Sequence, residues 1–201
     1  MINIIMPVVG YLFGCINSSI ILTRLIEKKD VRDFGSKNAG FTNTLRHFKL
    51  RTAVLVFLGD SLKAAVALSI AKLTAPGNGT VLYLTALGVI LGHNFPFIHH
   101  FKGGKGVLVS IVAVMFADWR IGLIILVAAV TIMLISRYVS LGSIVGSVLF
   151  PILTVIFHFN DIAIIFFSVA VSLLSIFMHR KNIYRLYIGT ENRFGGGKKN
   201  G

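Results

Sequence analysis

The sequence predicts an all-α, polytopic integral membrane protein with about seven transmembrane helices, some of them short or partial. Three observations lead there. Only 13% of the 201 residues are charged, about half the share of a soluble domain. Hydrophobic residues make up 55% of the chain and gather in long runs. Seven such runs alternate with short polar segments, and a helix that crosses a bilayer needs roughly 20 apolar residues.

The first run, Ile2–Ile26, lacks the basic leader of a secretory signal and is expected to be the first membrane helix. Runs at 53–73 and 80–98 follow, with Pro96 placed to end or kink the second of them. The fourth run, Val107–Ala117, has only 11 residues before Asp118, about 16 Å of helix. It is too short to cross alone, so part of the glycine-rich segment before it is expected to dip into the membrane. Irregular backbone is tolerated at that depth only where protein or a wet cavity surrounds it. Runs at 121–135, 141–158 and 162–178 complete the set. The short loops argue for one domain over 1–194, followed by a flexible tail at 195–201.

The net charge of +13 would suggest nucleic acid in a soluble protein. Here the positive-inside rule accounts for most of it. With the N-terminus outside and the C-terminus cytoplasmic, 17 of the 20 lysines and arginines fall on the inner face. Of the other three, Lys63 lies within a span, Arg120 lies in an outer loop and Lys72 is near enough to snorkel outward. The single Cys15 allows neither an intrachain disulfide nor a cysteine zinc site.

Three inner segments carry small polar groups as well as charge. The second is the densest: Gly92-His93-Asn94-Phe95-Pro96, then Phe101-Lys102-Gly103-Gly104-Lys105-Gly106-Val107. Glycines let backbone N–H groups approach a ligand closely, lysine adds a mobile charge, and a helix starting at Val107 would point its N-terminus at the same spot. That favours a phosphate cradle at the membrane surface; the alternative is a basic loop that binds nothing. The nucleotide P-loop pattern is absent. The first segment, Gly35-Ser36-Lys37-Asn38-Ala39-Gly40-Phe41-Thr42-Asn43 with Arg46 beyond it, suits phosphate or hydroxyl recognition. Read otherwise, it is a turn in which Thr42 or Asn43 caps a helix.

The third segment runs from His179 to Glu191 and includes Asn182 and Arg185. Ile183, Leu186 and Tyr187 give it the spacing of an amphipathic interfacial helix, which is compatible with ligand contacts from its polar face. Two further features lie inside the spans. Asp60 and Lys63 are spaced to pair on one helix face, as a structural or a catalytic pair, and His93 is expected to face the bundle and find a partner. The sequence contains neither a Gly-x-Ser-x-Gly elbow nor a His-x-x-x-x-Asp motif.

Together the three segments resemble the bacterial integral-membrane acyl-phosphate:glycerol-3-phosphate acyltransferases, the PlsY family. The first motif resembles residues 35–43, the second resembles 92–106, and the third resembles 179–191, with Asn-Ile-x-Arg-Leu-x-x-Gly-x-Glu intact. The resemblance spans nearly the whole chain. One departure lies in the first motif, where the family's Asn-Pro-Gly-Ala/Ser-Thr-Asn reads Asn38-Ala39-Gly40-Phe41-Thr42-Asn43, and it bears on the rigidity of that loop.

The resemblance implies transfer of an acyl group from acyl-phosphate to the 1-hydroxyl of glycerol 3-phosphate, giving lysophosphatidic acid and phosphate at the start of phospholipid synthesis. It implies a multi-pass protein of the bacterial inner membrane with its active site on the cytoplasmic face. It also implies that no cofactor, metal, coenzyme A or acyl-carrier protein is used directly. The implied catalytic positions are Lys105, Ser36, Asn182 and His179. The phosphate-binding positions are Arg46, Lys105, Gly103, Gly104, Gly106, Ser36, Asn38, Gly40, Thr42 and Asn43. Glu191, Arg185, His93, Asp60 and Lys63 would support them, and all three segments are expected to gather at the inner leaflet. The rival reading is a transporter of phosphorylated metabolites, which should show inverted repeats and a midplane site; neither is evident.

Overall fold

The computed structural model describes residues 1–194, so the expected tail at 195–201 lies outside the described residues. Among the described residues every regular element is a helix. Six helical stretches are long and apolar enough to cross a membrane: Ile2–Ile26, Leu50–Thr74, Gly79–His99, Trp119–Ser136, Val139–Phe157 and Ile162–Tyr187; Val107–Ala117 is the shorter apolar helix. The chain forms two compact units, the first Met1–Ala117 and the second from Asp118 onward.

In the first unit the opening span is two helices, α1 (Ile2–Cys15) and α2 (Ser18–Ile26). The break comes at Asn17, whose side-chain oxygen takes the Ile20 N–H at 3.0 Å and caps α2. A 3₁₀ turn (Val31–Asp33) and short α3 (Phe41–His47) lead to the 25-residue α4 (Leu50–Thr74). Then come α5 (Gly79–Asn94), a 3₁₀ turn (Phe97–His99) and α6 (Val107–Ala117). As expected, α5 stops just before Pro96, which has no N–H to continue a helix.

The tightest packing joins α1 to α5. A side chain at Gly10 or Gly14 would collide with the Thr85 or Val89 carbonyl, and one at Gly88 or Gly92 with the Pro7 or Tyr11 carbonyl. Residue numbers rise together along the seam, so the helices run in the same direction. Small residues four apart on both helices let the backbones touch, which is how membrane helices associate without a hydrophobic driving force.

The second unit is an antiparallel set of α7 (Trp119–Ser136), α8 (Val139–Phe157) and α9 (Ile162–Tyr187). Gly142 of α8 lies against the Ala129 carbonyl of α7. Phe150 meets Phe167 of α9 edge to face, with ring centroids 5.7 Å apart. At one end Asp118 caps α7 through the Arg120 N–H at 2.9 Å and holds His158 Nε2 at 2.8 Å. Hydrogen bonding from Arg120 keeps the Asp118 carboxyl well below the usual carboxylate range. The expected interfacial helix is not separate: α9 continues without interruption through Tyr187, because nothing between Met178 and Tyr187 breaks a helix.

Candidate active site

The loop of the first motif is held from within. Asn43 does not cap α3, as the alternative reading of this segment has it; it lies inside the helix, and Gly40 precedes it at the cap position. Its buried amide donates to the Val31 and Phe34 carbonyls at 3.1 and 3.0 Å and accepts the Ser36 N–H at 3.2 Å. Those three bonds commit Asn43 to shaping the loop. Thr42 is likewise within α3 and half-buried. Gly35 and Lys37 both have left-handed backbones, at φ 55° and 57°, which turns the chain sharply and leaves Ser36 exposed. Asn38 and Gly40 are half-buried, and the Gly40 N–H donates to the Asn38 carbonyl at 3.1 Å. Arg46 occupies the last turn of α3. Phe41 packs edge to face on Phe57 of α4, with ring centroids 5.6 Å apart.

The residue standing where the family has proline, Ala39, is fully buried. Its carbonyl accepts the Asn17 amide N–H at 3.3 Å. Loop rigidity therefore comes from Asn17 and Asn43 rather than from a proline ring.

The glycine-rich loop returns onto the end of α5. The Gly103 and Gly104 N–H groups donate to the Asn94 and His93 carbonyls at 3.2 and 3.1 Å. The turn before it places His100 and Phe101 in the left-handed region. Gly106 has φ +74°, and a side chain there would press on the Asn94 amide, 2.6 Å from its oxygen. Asn94 is buried, and both polar atoms of its side chain lack a hydrogen-bond partner. A buried unpaired amide is costly and marks a place for water or a ligand atom. Lys105 is half-buried between the buried Gly104 and Gly106.

The two loops touch. A side chain on Gly104 would lie 2.6 Å from the Ala39 carbonyl and collide with His93 Nε2. Arg32, which the sequence reading did not single out, donates to the His99 and Lys102 carbonyls at 3.2 and 3.4 Å. Asp30 steers it with bonds of 2.8–3.3 Å and also binds Arg24. Hydrogen bonding to Arg32 holds the Asp30 carboxyl well below its ordinary range, against the opposing effect of burial.

Beneath the loops Asp60 and Lys63 pair as expected, at 2.9 Å and almost fully buried. His93 joins them: its Nδ1 is 3.0 Å from Lys63 Nζ and 3.8 Å from Asp60 Oδ1. The histidine thus has a carboxylate nearby, with the lysine as its nearer neighbour.

In the second unit the third motif closes on itself. Glu191 accepts from Asn182 at 2.7 Å and Ser140 at 2.9 Å through Oε1, and from Arg185 at 2.7 Å through Oε2. Burial raises the Glu191 carboxyl, but the bonds from Asn182, Arg185 and Ser140 outweigh it, and the group sits below its ordinary value. His179 is buried one turn before Asn182 on α9, and its Nδ1 lies 2.9 Å from the Ser175 carbonyl. A carbonyl only accepts, so Nδ1 carries a proton and donates it there, with Nε2 as the other pole of the ring. Ser140 was missed because a lone serine in an apolar run carries no signal. Asn17 did leave one, since Asn17-Ser18-Ser19 interrupts the first apolar run.

Comparison with known proteins bears on what such an arrangement does. Residues 4–189 match the family model described as glycerol-3-phosphate acyltransferase. A glycerol-3-phosphate acyltransferase of Thermoanaerobacter pseudethanolicus is 42% identical over 195 residues, 97% of each chain. One of Clostridioides difficile is 39% identical, covering 96% of this chain and 95% of its own. The crystal structure of PlsY (YgiH), an integral membrane glycerol 3-phosphate acyltransferase, in its glycerol 3-phosphate form superposes with a TM-score of 0.90 at 33% identity, covering 96% of both chains. Its lysophosphatidic acid form gives 0.86 at 32% identity, covering 96% of this chain and 95% of that one.

Proposed function

This chain belongs to the PlsY-type integral-membrane glycerol-3-phosphate acyltransferases of lipid biosynthesis, and we propose that its acyl donor is an acyl-phosphate and its product lysophosphatidic acid. The observation that carries the reading is the seam between Ala39 and Gly104. It joins the loop that bears Ser36 and precedes Arg46 to the loop that bears Lys105, giving one patch that carries cations from both. A solved relative is described in glycerol 3-phosphate and lysophosphatidic acid forms, two molecules that differ by one acyl group.

An acyl-phosphate is already activated, so the protein need form no acyl-enzyme. The glycerol hydroxyl oxygen bonds to the acyl carbon, the acyl carbon–oxygen bond to phosphate breaks, and inorganic phosphate leaves. The hydroxyl proton passes to a phosphate oxygen of the donor. What the protein supplies is position, with the reacting atoms about 3–3.5 Å apart, and charge. Lys105 and Arg46 offset the mutual repulsion of two phosphates and stabilise the developing oxyanion, while Gly103 and Gly104, whose N–H groups are taken by the Asn94 and His93 carbonyls, and Gly106, at φ +74°, shape the loop that carries Lys105 rather than donate to phosphate. Ser36, Asn38 and Gly40 line the loop of the first motif, and Thr42 follows in the first turn of α3. Asn182 and His179 are assigned to the reaction as the resemblance implies, with Glu191 and Arg185 holding Asn182. The reading places the loops on the cytoplasmic face of a bacterial inner membrane, with the N-terminus outside and the C-terminus inside. It requires no coenzyme A or acyl-carrier protein.

The test is turnover by the purified protein in lipid, supplied with acyl-phosphate and glycerol 3-phosphate, with phosphate and lysophosphatidic acid both measured. Lys105→Ala and Arg46→Ala are expected to abolish turnover in folded protein, while His179→Ala keeps part of the rate. Turnover only with acyl-coenzyme A would overturn the donor.

A further inference from the structure

The cluster beneath the loops bears on which nitrogen of His93 holds the proton. Lys63 Nζ lies 2.9 Å from Asp60 Oδ1, 3.1 Å from the Gly14 carbonyl, 2.7 Å from the Ile16 carbonyl and 3.0 Å from His93 Nδ1. The two carbonyls are among those left open where α1 breaks from α2. Asp60 also accepts the Ser18 N–H at 3.3 Å. An ammonium only donates, so its three hydrogens serve four acceptors. Asp60 Oδ1 and His93 Nδ1 lie 3.8 Å apart.

Two other proton arrangements fail on this geometry. If His93 donated from Nδ1, Lys63 would have to be neutral. The buried Asp60 would then lose its cation, and the two carbonyls would keep only a weaker donor. If His93 were doubly protonated, either two cations would face each other at 3.0 Å in a buried site, or Lys63, ordinarily the stronger base by about four pH units, would have to be the one without its proton. The remaining arrangement puts the lone pair on Nδ1, where Lys63 meets it, and the proton on Nε2.

The Nε2 end of the ring lies against Gly104, whose missing side chain leaves room for it, with the Ala39 carbonyl adjoining. We propose that His93 is a positioning residue: Asp60 and Lys63 fix it as an Nε2–H donor directed at the seam of the two loops, and it takes no proton from substrate. The proposal rests on the preceding reading only in treating those loops as the substrate cradle.

The test begins with nitrogen NMR of full-length protein in lipid nanodiscs with ¹⁵N-labelled histidine, where the His93 signals are identified by their loss in His93→Gln. The expected spectrum has a protonated Nε2 and an unprotonated Nδ1. A proton on Nδ1, or on both nitrogens, overturns the proposal. Lys63→Met is expected to release the ring to a mixture of tautomers; an unchanged spectrum would remove Lys63 from the role.

Kinetics supply the second arm. His93→Gln keeps an N–H donor near the Nε2 position and is expected to hold kcat/KM within about tenfold, whereas His93→Leu, with no donor, loses on the order of 100-fold. A general base contributes roughly 10²–10⁴-fold, so a folded His93→Gln protein as inactive as His93→Leu would restore His93 as the proton acceptor. Absence of turnover in the unmodified protein would defeat the acyl-phosphate reading and leave the NMR result standing.

Discussion

Asn17 and Ala39 are joined across 22 residues of sequence by a hydrogen bond from the Asn17 amide to the Ala39 carbonyl. The same side chain caps α2 through the Ile20 N–H. One residue in the first membrane span therefore breaks the helix and anchors the loop of the first motif.

Asn17→Leu removes both bonds. Loss of a cap costs about 1 kcal/mol, and the buried groups left unpaired add on the order of 1–3 kcal/mol. The expected outcome is a lower thermal midpoint together with a fall of about tenfold in kcat/KM. A fall in stability with unchanged kinetics would show that the cap matters and the anchor does not.

Arg32 reaches the glycine-rich loop at the His99 and Lys102 carbonyls. A hydrogen bond from a charged group is worth roughly 1.5–3 kcal/mol. Arg32→Ala is expected to lower kcat/KM about tenfold to a hundredfold and to lower the thermal midpoint as well, because the bonds it removes also hold the fold. Steady-state kinetics beside a melting curve checks both halves.

The α1–α5 seam makes a prediction about stability alone. A methyl at Gly14 or Gly92 meets a carbonyl oxygen of the facing helix, and backbone cannot swing aside. Gly14→Ala and Gly92→Ala are each expected to cost about 1–3 kcal/mol, read as a lower unfolding temperature in detergent. Unchanged melting would mean that the two helices separate without penalty.

Glu191 gives the pH dependence. Its carboxyl lies below the ordinary value in the folded protein, and the unfolded value is about 4.3. The group therefore stabilises the fold above about pH 4.3, and that stability is lost as the pH falls through the folded value. Melting of the unmodified protein between about pH 6 and pH 3 should steepen downward at the acid end, and Glu191→Gln should flatten the part due to this group. Equal slopes for the two proteins would remove Glu191 as a contributor.

Spans and polar segments were legible in the sequence because membrane solvation is a strong constraint: a run such as Val107–Ala117 has one comfortable state, and its boundaries matched. The Asp60–Lys63 pair was legible because an i, i+3 spacing inside a span leaves few alternatives. The small-residue seam was written plainly as Gly10-x-x-x-Gly14 and Gly88-x-x-x-Gly92 and was not read. The role of Asn43 was not legible, since an amide near a helix start either caps it or turns back, and the choice depends on where Val31 and Phe34 fold. Arg32 and Ser140 are identified by three-dimensional neighbours alone, and no local pattern announces them.

The ammonium of Lys63 on the Gly14 and Ile16 carbonyls has a consequence for biogenesis. Entering lipid alone, the broken first span would expose bare carbonyls, and α4 would carry an acid and a base with only each other for company. Each segment supplies what the other lacks, so the broken first span is satisfied at that depth only with α4 packed against it.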